Sequence, residues 1–161
     1  MNGIGKAIFL WGVICLLGFG IYHFYLLDQN FPKPLPVWTA LTIIGIIGMA
    51  LWVPNWTKNS TVHVWLVVGV IGMLIHWYYS MQNTNPPFGA WGYWALLMAA
   101  GFLVTGHTWK HNFYYYVGVL NLIVFAILVG APAVIGMSAS AVLAVTSGVP
   151  LLYDGYVNNK H

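Results

Sequence analysis

Long apolar runs alternate along the chain with short breaks rich in proline, asparagine and lysine. Six runs stand out, at residues 7–27, 36–53, 62–80, 89–107, 113–130 and 133–152. A bilayer core of about 30 Å needs around 20 apolar residues at 1.5 Å rise each, and each run is close to that length. The breaks carry turn chemistry: "DQNFPKPLP", "PNWTKNS", "MQNTNPPFG" and "HTWKHN" follow the first four runs in order. Read without a break, residues 113–152 would form a helix of roughly 60 Å, twice the core. The "GAP" at 130–132 is therefore expected to turn the chain. The pattern predicts an all-α fold, six transmembrane helices forming one integral membrane domain over residues 1–161.

Composition supports this reading. Hydrophobic residues make up 60% and charged residues 4% of the chain, against roughly 25% charged in a soluble domain. There are five Lys, two Asp, no Arg and no Glu, so packing and hydrogen bonds rather than ion pairs must specify the fold. No basic run or stripe accompanies the net charge of +3, which argues against nucleic acid as a partner. With a cytoplasmic amino terminus, Lys6, Lys58, Lys110 and Lys160 fall inside and only Lys33 outside, as the positive-inside rule asks. Both termini are then cytoplasmic, in the cell membrane of a prokaryote. Lys6 and the apolar stretch after it resemble the start of a signal peptide. The residues that follow, Ile21 to Tyr25, are too bulky for a cleavage site, so the segment is expected to remain as the first span.

On this map Trp11, Trp52, Trp56, Trp65 and Trp109 fall at inner ends, and Trp38, Trp77, Trp91 and Trp94 at outer ends. That is the expected interfacial belt. Small residues along the spans, among them Gly12, Gly18, Gly45, Gly48, Gly69 and Gly72, allow close helix approach. Cys15 is the single cysteine and forms no internal disulfide.

The candidate chemistry lies in the histidines, which sort into two layers. His63 and His76 bound the run "HVWLVVGVIGMLIH". Membrane b-type cytochromes hold haem between imidazoles near helix ends, and 13 residues give about 20 Å along the axis. The two rings then sit roughly 140° apart around the helix, and no other span carries His at both ends. A haem b held by His63 and His76, with His23 as the outer partner, is nevertheless a candidate cofactor site. In "HTWKH", His107 and His111 are four apart, the spacing of a one-face metal pair on a continuous helix. With His63 or Asp154 they would suit zinc, iron or copper. His23, His76 and Met81 form a weaker outer set for copper.

Other chemistry finds little footing. No ionisable residue falls at mid-depth in a span, so a pump or a carrier of charged solutes is disfavoured. There is no Gly-x-Ser-x-Gly elbow beside Ser147, no P-loop and no dinucleotide fingerprint. No internal repeat supports an inverted-repeat transporter. The leading expectation is a small subunit of a larger membrane complex, such as an oxidoreductase, with lipid and other membrane subunits as partners and a structural rather than catalytic role. A His-ligated haem or metal redox protein and a channel or carrier for a small neutral solute are the alternatives.

Overall fold

The computed structural model describes residues 2–27 and 34–157, apart from the Met137 side chain; Asp28, Lys33, Lys160 and His161 lie outside them. Five helices among these residues are long and apolar enough to cross a membrane: α1 (Gly3–Leu27), α2 (Pro34–Trp52), α3 (Ser60–Met81), α4 (Gly89–Trp109) and α5 (Asn112–Gly130). The chain is thus all-α and multi-pass, an integral membrane protein in contact with the bilayer. Apolar side chains such as Ile43, Ile47 and Leu51 on α2 and Ile123 on α5 point away from the bundle, where lipid rather than water covers them.

Residues 113–152 are broken where the sequence predicts. Helix α5 ends at Gly130, and Pro132 opens a short helical turn, Pro132–Ile135. Gly136, at a φ of 50°, then redirects the chain, so the sixth segment begins later than expected. It runs as α6 over residues 139–157, made of Ala139–Leu143, a π-helical turn Ala144–Gly148, and Val149–Val157. Local signals fix the other ends. The Asn2 side chain accepts from Gly5 N at 2.7 Å at the start of α1. Asn59 accepts from Thr61 N and Val62 N at the start of α3. Lys110, at a φ of 53°, closes α4 with His111 N bonded to Gly106 O at 3.1 Å.

Helix α1 packs along both α2 and α6, α4 pairs with α5, and α3 lies on α4. At the α1–α6 contact glycines on both helices meet backbone. A β-carbon on Gly12 would sit 2.7 Å from Leu152 N, and one on Gly155 would sit 2.5 Å from Phe9 N and 2.8 Å from Gly5 O. Between α2 and α3, Trp77 Nε1 donates to Thr39 Oγ1 at 2.9 Å, and Ala7, Met49, Val53 and Val62 cluster together where α1, α2 and α3 meet.

Two π turns interrupt the helical ladders, Val67–Ile71 in α3 and Ala144–Gly148 in α6. A π turn leaves carbonyls short of their usual donors, and in lipid each must find a partner within the protein. Just after the π turn of α3, Tyr93 on α4 donates its hydroxyl to Gly72 O at 3.2 Å. Asn121 on α5, fully buried, donates to Thr146 O at 3.3 Å while its Oδ1 accepts from Ser147 Oγ at 3.0 Å. The polar residue in the fifth span therefore pins the irregular turn of the sixth.

Because relief of a β-carbon at position 155 requires the helices to separate, Gly155→Val is expected to lose about 1–3 kcal/mol of stability. Gly20, where an added β-carbon would meet nothing within 4 Å, is expected to tolerate Ala or gain up to about 1 kcal/mol from helix propensity. Unfolding of the two variants in detergent, followed by circular dichroism, measures the contrast.

Candidate functional site

Ile4, Ala7, Ile8 and Trp11 of α1 face Met49 and Val53 at the end of α2, Thr61, Val62 and Trp65 at the start of α3, Trp109 of α4 and Tyr114 of α5. Between them lies a chamber of about 50 Å³, at the end of the bundle where α1 begins and α2 ends. A water needs roughly 10–15 Å³ of such space, so the chamber has room for a few waters or one molecule of comparable size.

Most polar groups on its wall are already used. Trp65 Nε1 donates to Thr105 Oγ1 at 3.0 Å, and Thr105 in turn donates to Gly101 O at 2.8 Å. Tyr114 donates its hydroxyl to Asp154 Oδ2 at 2.5 Å, holding α5 to α6 through a carboxylate only 1% exposed. Two groups are different. Trp11 Nε1 and Thr61 Oγ1 are buried and find no hydrogen-bond partner in the protein among the described residues. Thr61 is 5% exposed. Both side chains line this chamber, and an unsatisfied buried donor costs about 1–3 kcal/mol. Both atoms are closed off from water in this arrangement, so a guest in the chamber that accepts from the indole N–H and exchanges a hydrogen bond with the hydroxyl reaches them through a small shift of the Trp11 and Thr61 side chains.

Two smaller cavities continue inward. One of about 20 Å³ is lined by Trp11, Cys15, Trp38, Thr42, Trp65, Gly69 and Trp94 among others. The next, of about 10 Å³, is an aromatic box formed by Phe19, Tyr22, Trp38, Trp91 and Trp94 around His76. Trp38 and Trp94 are 8% and 4% exposed. These indoles, near the starts of their spans as the sequence places them, turn into the bundle rather than outward as interfacial anchors would. Length along a span was legible; which way the ring turns was not.

The candidate histidines go to separate partners. His76 Nδ1 accepts from Trp94 Nε1 at 2.9 Å, so the neutral ring carries its proton on Nε2. His63 Nε2 lies 2.9 Å from Thr57 O and donates to it. His107 Nδ1 is 3.5 Å from the Tyr115 hydroxyl, and the His111 ring packs on Phe113 and Tyr114. His23 stacks edge-on with Phe24, and Met81 is exposed. Tyr114 touches both Asp154 and His111. Among the described residues, however, no three His, Cys, Asp or Glu come together in a group able to hold a metal ion. His63, His107, His111 and Asp154 do not converge as one such group.

Trp11 and Thr61 are not marked as site residues by the sequence. Trp11 has the position of an interfacial anchor, and Thr61 in "NSTVH" sits where a helix cap explains a hydroxyl. Compared with family models, curated proteins and solved structures, the chain matches none.

Tyr114→Phe removes the donor to a buried carboxylate while preserving the ring. It is expected to lower stability by about 1.5–3 kcal/mol, and denaturant unfolding in detergent checks the value.

Proposed function

We propose that the chain is a six-span membrane protein that takes a small, uncharged, hydrogen-bonding molecule into the chamber beside Trp11 and Thr61. The continuous run of residues 139–157, helical on either side of its π turn, supports the sixth span. Lys6, Lys58 and Lys110 belong to the chamber end of the bundle, which supports, by the positive-inside rule, a cytoplasmic place for that end and for both termini.

One observation carries this reading: two buried hydrogen-bonding groups that find no protein partner among the described residues belong to side chains lining the same chamber. A strongly hydrated ion is disfavoured there, because among the described residues no ionised side chain lines the chamber to offset its desolvation. A neutral guest with a carbonyl-type acceptor fits better. The other roles suggested by the sequence have less to stand on. The haem and metal readings lose force because the histidines have separate partners, and the complex-subunit reading draws on composition rather than on any particular residue.

A guest of about three heavy atoms gains at most roughly 4.5 kcal/mol, a dissociation constant near millimolar. Formamide has the size and the acceptor. Saturation-transfer difference NMR of the detergent-purified protein is expected to show contact with formamide at millimolar concentration. Trp11→Phe and Thr61→Val, each retaining the native circular dichroism, should weaken that signal at least threefold. A signal absent from the native protein, or indifferent to both substitutions, would overturn the proposal.

A further inference from the structure

The three cavities share walls. Trp11, Trp65 and Leu151 line both the chamber and the middle cavity, and Trp38 and Trp94 line both the middle cavity and the aromatic box. Each partition is therefore a single layer of side chains, formed mainly by indoles. The series leads from the end of the bundle near Ile4 and Val53 to the opposite end near Tyr22 and Trp91.

We propose that these cavities mark one route through the bundle for a small uncharged solute, with Trp11 and Trp65 as the inner partition and Trp38 and Trp94 as the outer one; at about 20 and 10 Å³ the two further cavities hold about one water each, so a larger solute enters them as these indoles part. This rests on the chamber being the solute site. The middle cavity defines the solute class. Its wall carries no ionised group, and its one hydroxyl, Thr42 Oγ1, is bonded to Trp38 O at 2.9 Å. A charged species would lose its hydration there without replacement, whereas a neutral molecule of a few heavy atoms gives up little. The outer partition also has a defined rest position. Trp38 and Trp94 meet edge-on with ring centroids 5.8 Å apart, and the Trp94 indole is held by His76 Nδ1. Passage requires this ring pair to part, so transfer proceeds one solute at a time and does not open a continuous pore. The π turn of α3 contributes Val68 and Gly69 to the same wall. A β-carbon on Gly69 would meet Trp11 and Thr42 at 3.6 Å, an ordinary contact. A longer side chain at this position therefore fills the middle cavity.

The test is stopped-flow light scattering of phosphatidylcholine–cholesterol vesicles containing the purified full chain, challenged with formamide and, separately, with potassium chloride. Native protein is expected to speed formamide re-swelling at least threefold over protein-free vesicles and to leave salt-driven shrinkage stable. Gly69→Leu, reconstituted with native circular dichroism, should return the rate to within about a third of the protein-free value. Thr42→Leu makes the same test from the opposite wall should Gly69→Leu fail to fold. Native re-swelling no faster than that of empty vesicles overturns the route. The chamber reading survives that result if formamide still shows NMR contact sensitive to Trp11→Phe, and falls with the route if it does not. Fast flux undiminished in both filled variants also overturns the proposed path, as does collapse of the salt gradient.

Discussion

The close contact of α1 with α6 sets the rest of the bundle. Gly12 faces the backbone at Leu152, and Gly155 faces the backbone at Phe9 and Gly5, so the two helices touch main chain to main chain. In lipid the hydrophobic effect does not drive helices together, and close packing of small residues must do so. Once α1 is held this closely by α6 and by α2 on another side, its remaining face turns toward α3 and α4. That face carries Trp11, Cys15 and Phe19. Indoles packed against indoles leave small spaces, and the cavities follow α1 along the bundle.

A chain with so few charges must satisfy its buried polar groups locally. Thr39, Thr42, Thr105 and Thr108 each bond the carbonyl four residues earlier in their own helix. At the π turn of α6, Asn121 reaches across from the neighbouring helix, and beside that of α3 Tyr93 bonds Gly72 O. Asp154, buried at the α5–α6 boundary, takes the Tyr114 hydroxyl. Against this background the indole N–H of Trp11 and the hydroxyls of Thr61 and Ser140 find no protein partner among the described residues, and of these Trp11 and Thr61 line the chamber. Their position around one chamber links the economy of the fold to a function.

Much of the architecture was legible in the sequence because bilayer thickness is a length constraint. Apolar runs near 20 residues and prolines in the breaks placed five spans within a few residues, and "GAP" marked the turn after α5. The start of α6 was displaced because the left-handed backbone of Gly136 cannot be told from sequence. The site was less legible. The histidines attracted attention as the residues with metal chemistry, yet rotation about the helix axis sends His63 to a carbonyl and His76 to an indole. The rings that form the interior, Trp11, Trp38, Trp65 and Trp94, are of the same type as interfacial anchors. Only the helix packing separates the two uses. The π turns have no simple sequence mark at all, although Asn121 in an apolar run signals that some backbone group nearby needs a partner.

The most direct test of this account is a crystal structure of the full chain grown in a lipid mesophase, at a resolution that shows ordered solvent. The account predicts non-protein density in the chamber within hydrogen-bonding distance of both Trp11 Nε1 and Thr61 Oγ1. A collapsed chamber, with those two groups bonded to other parts of the protein, would contradict it.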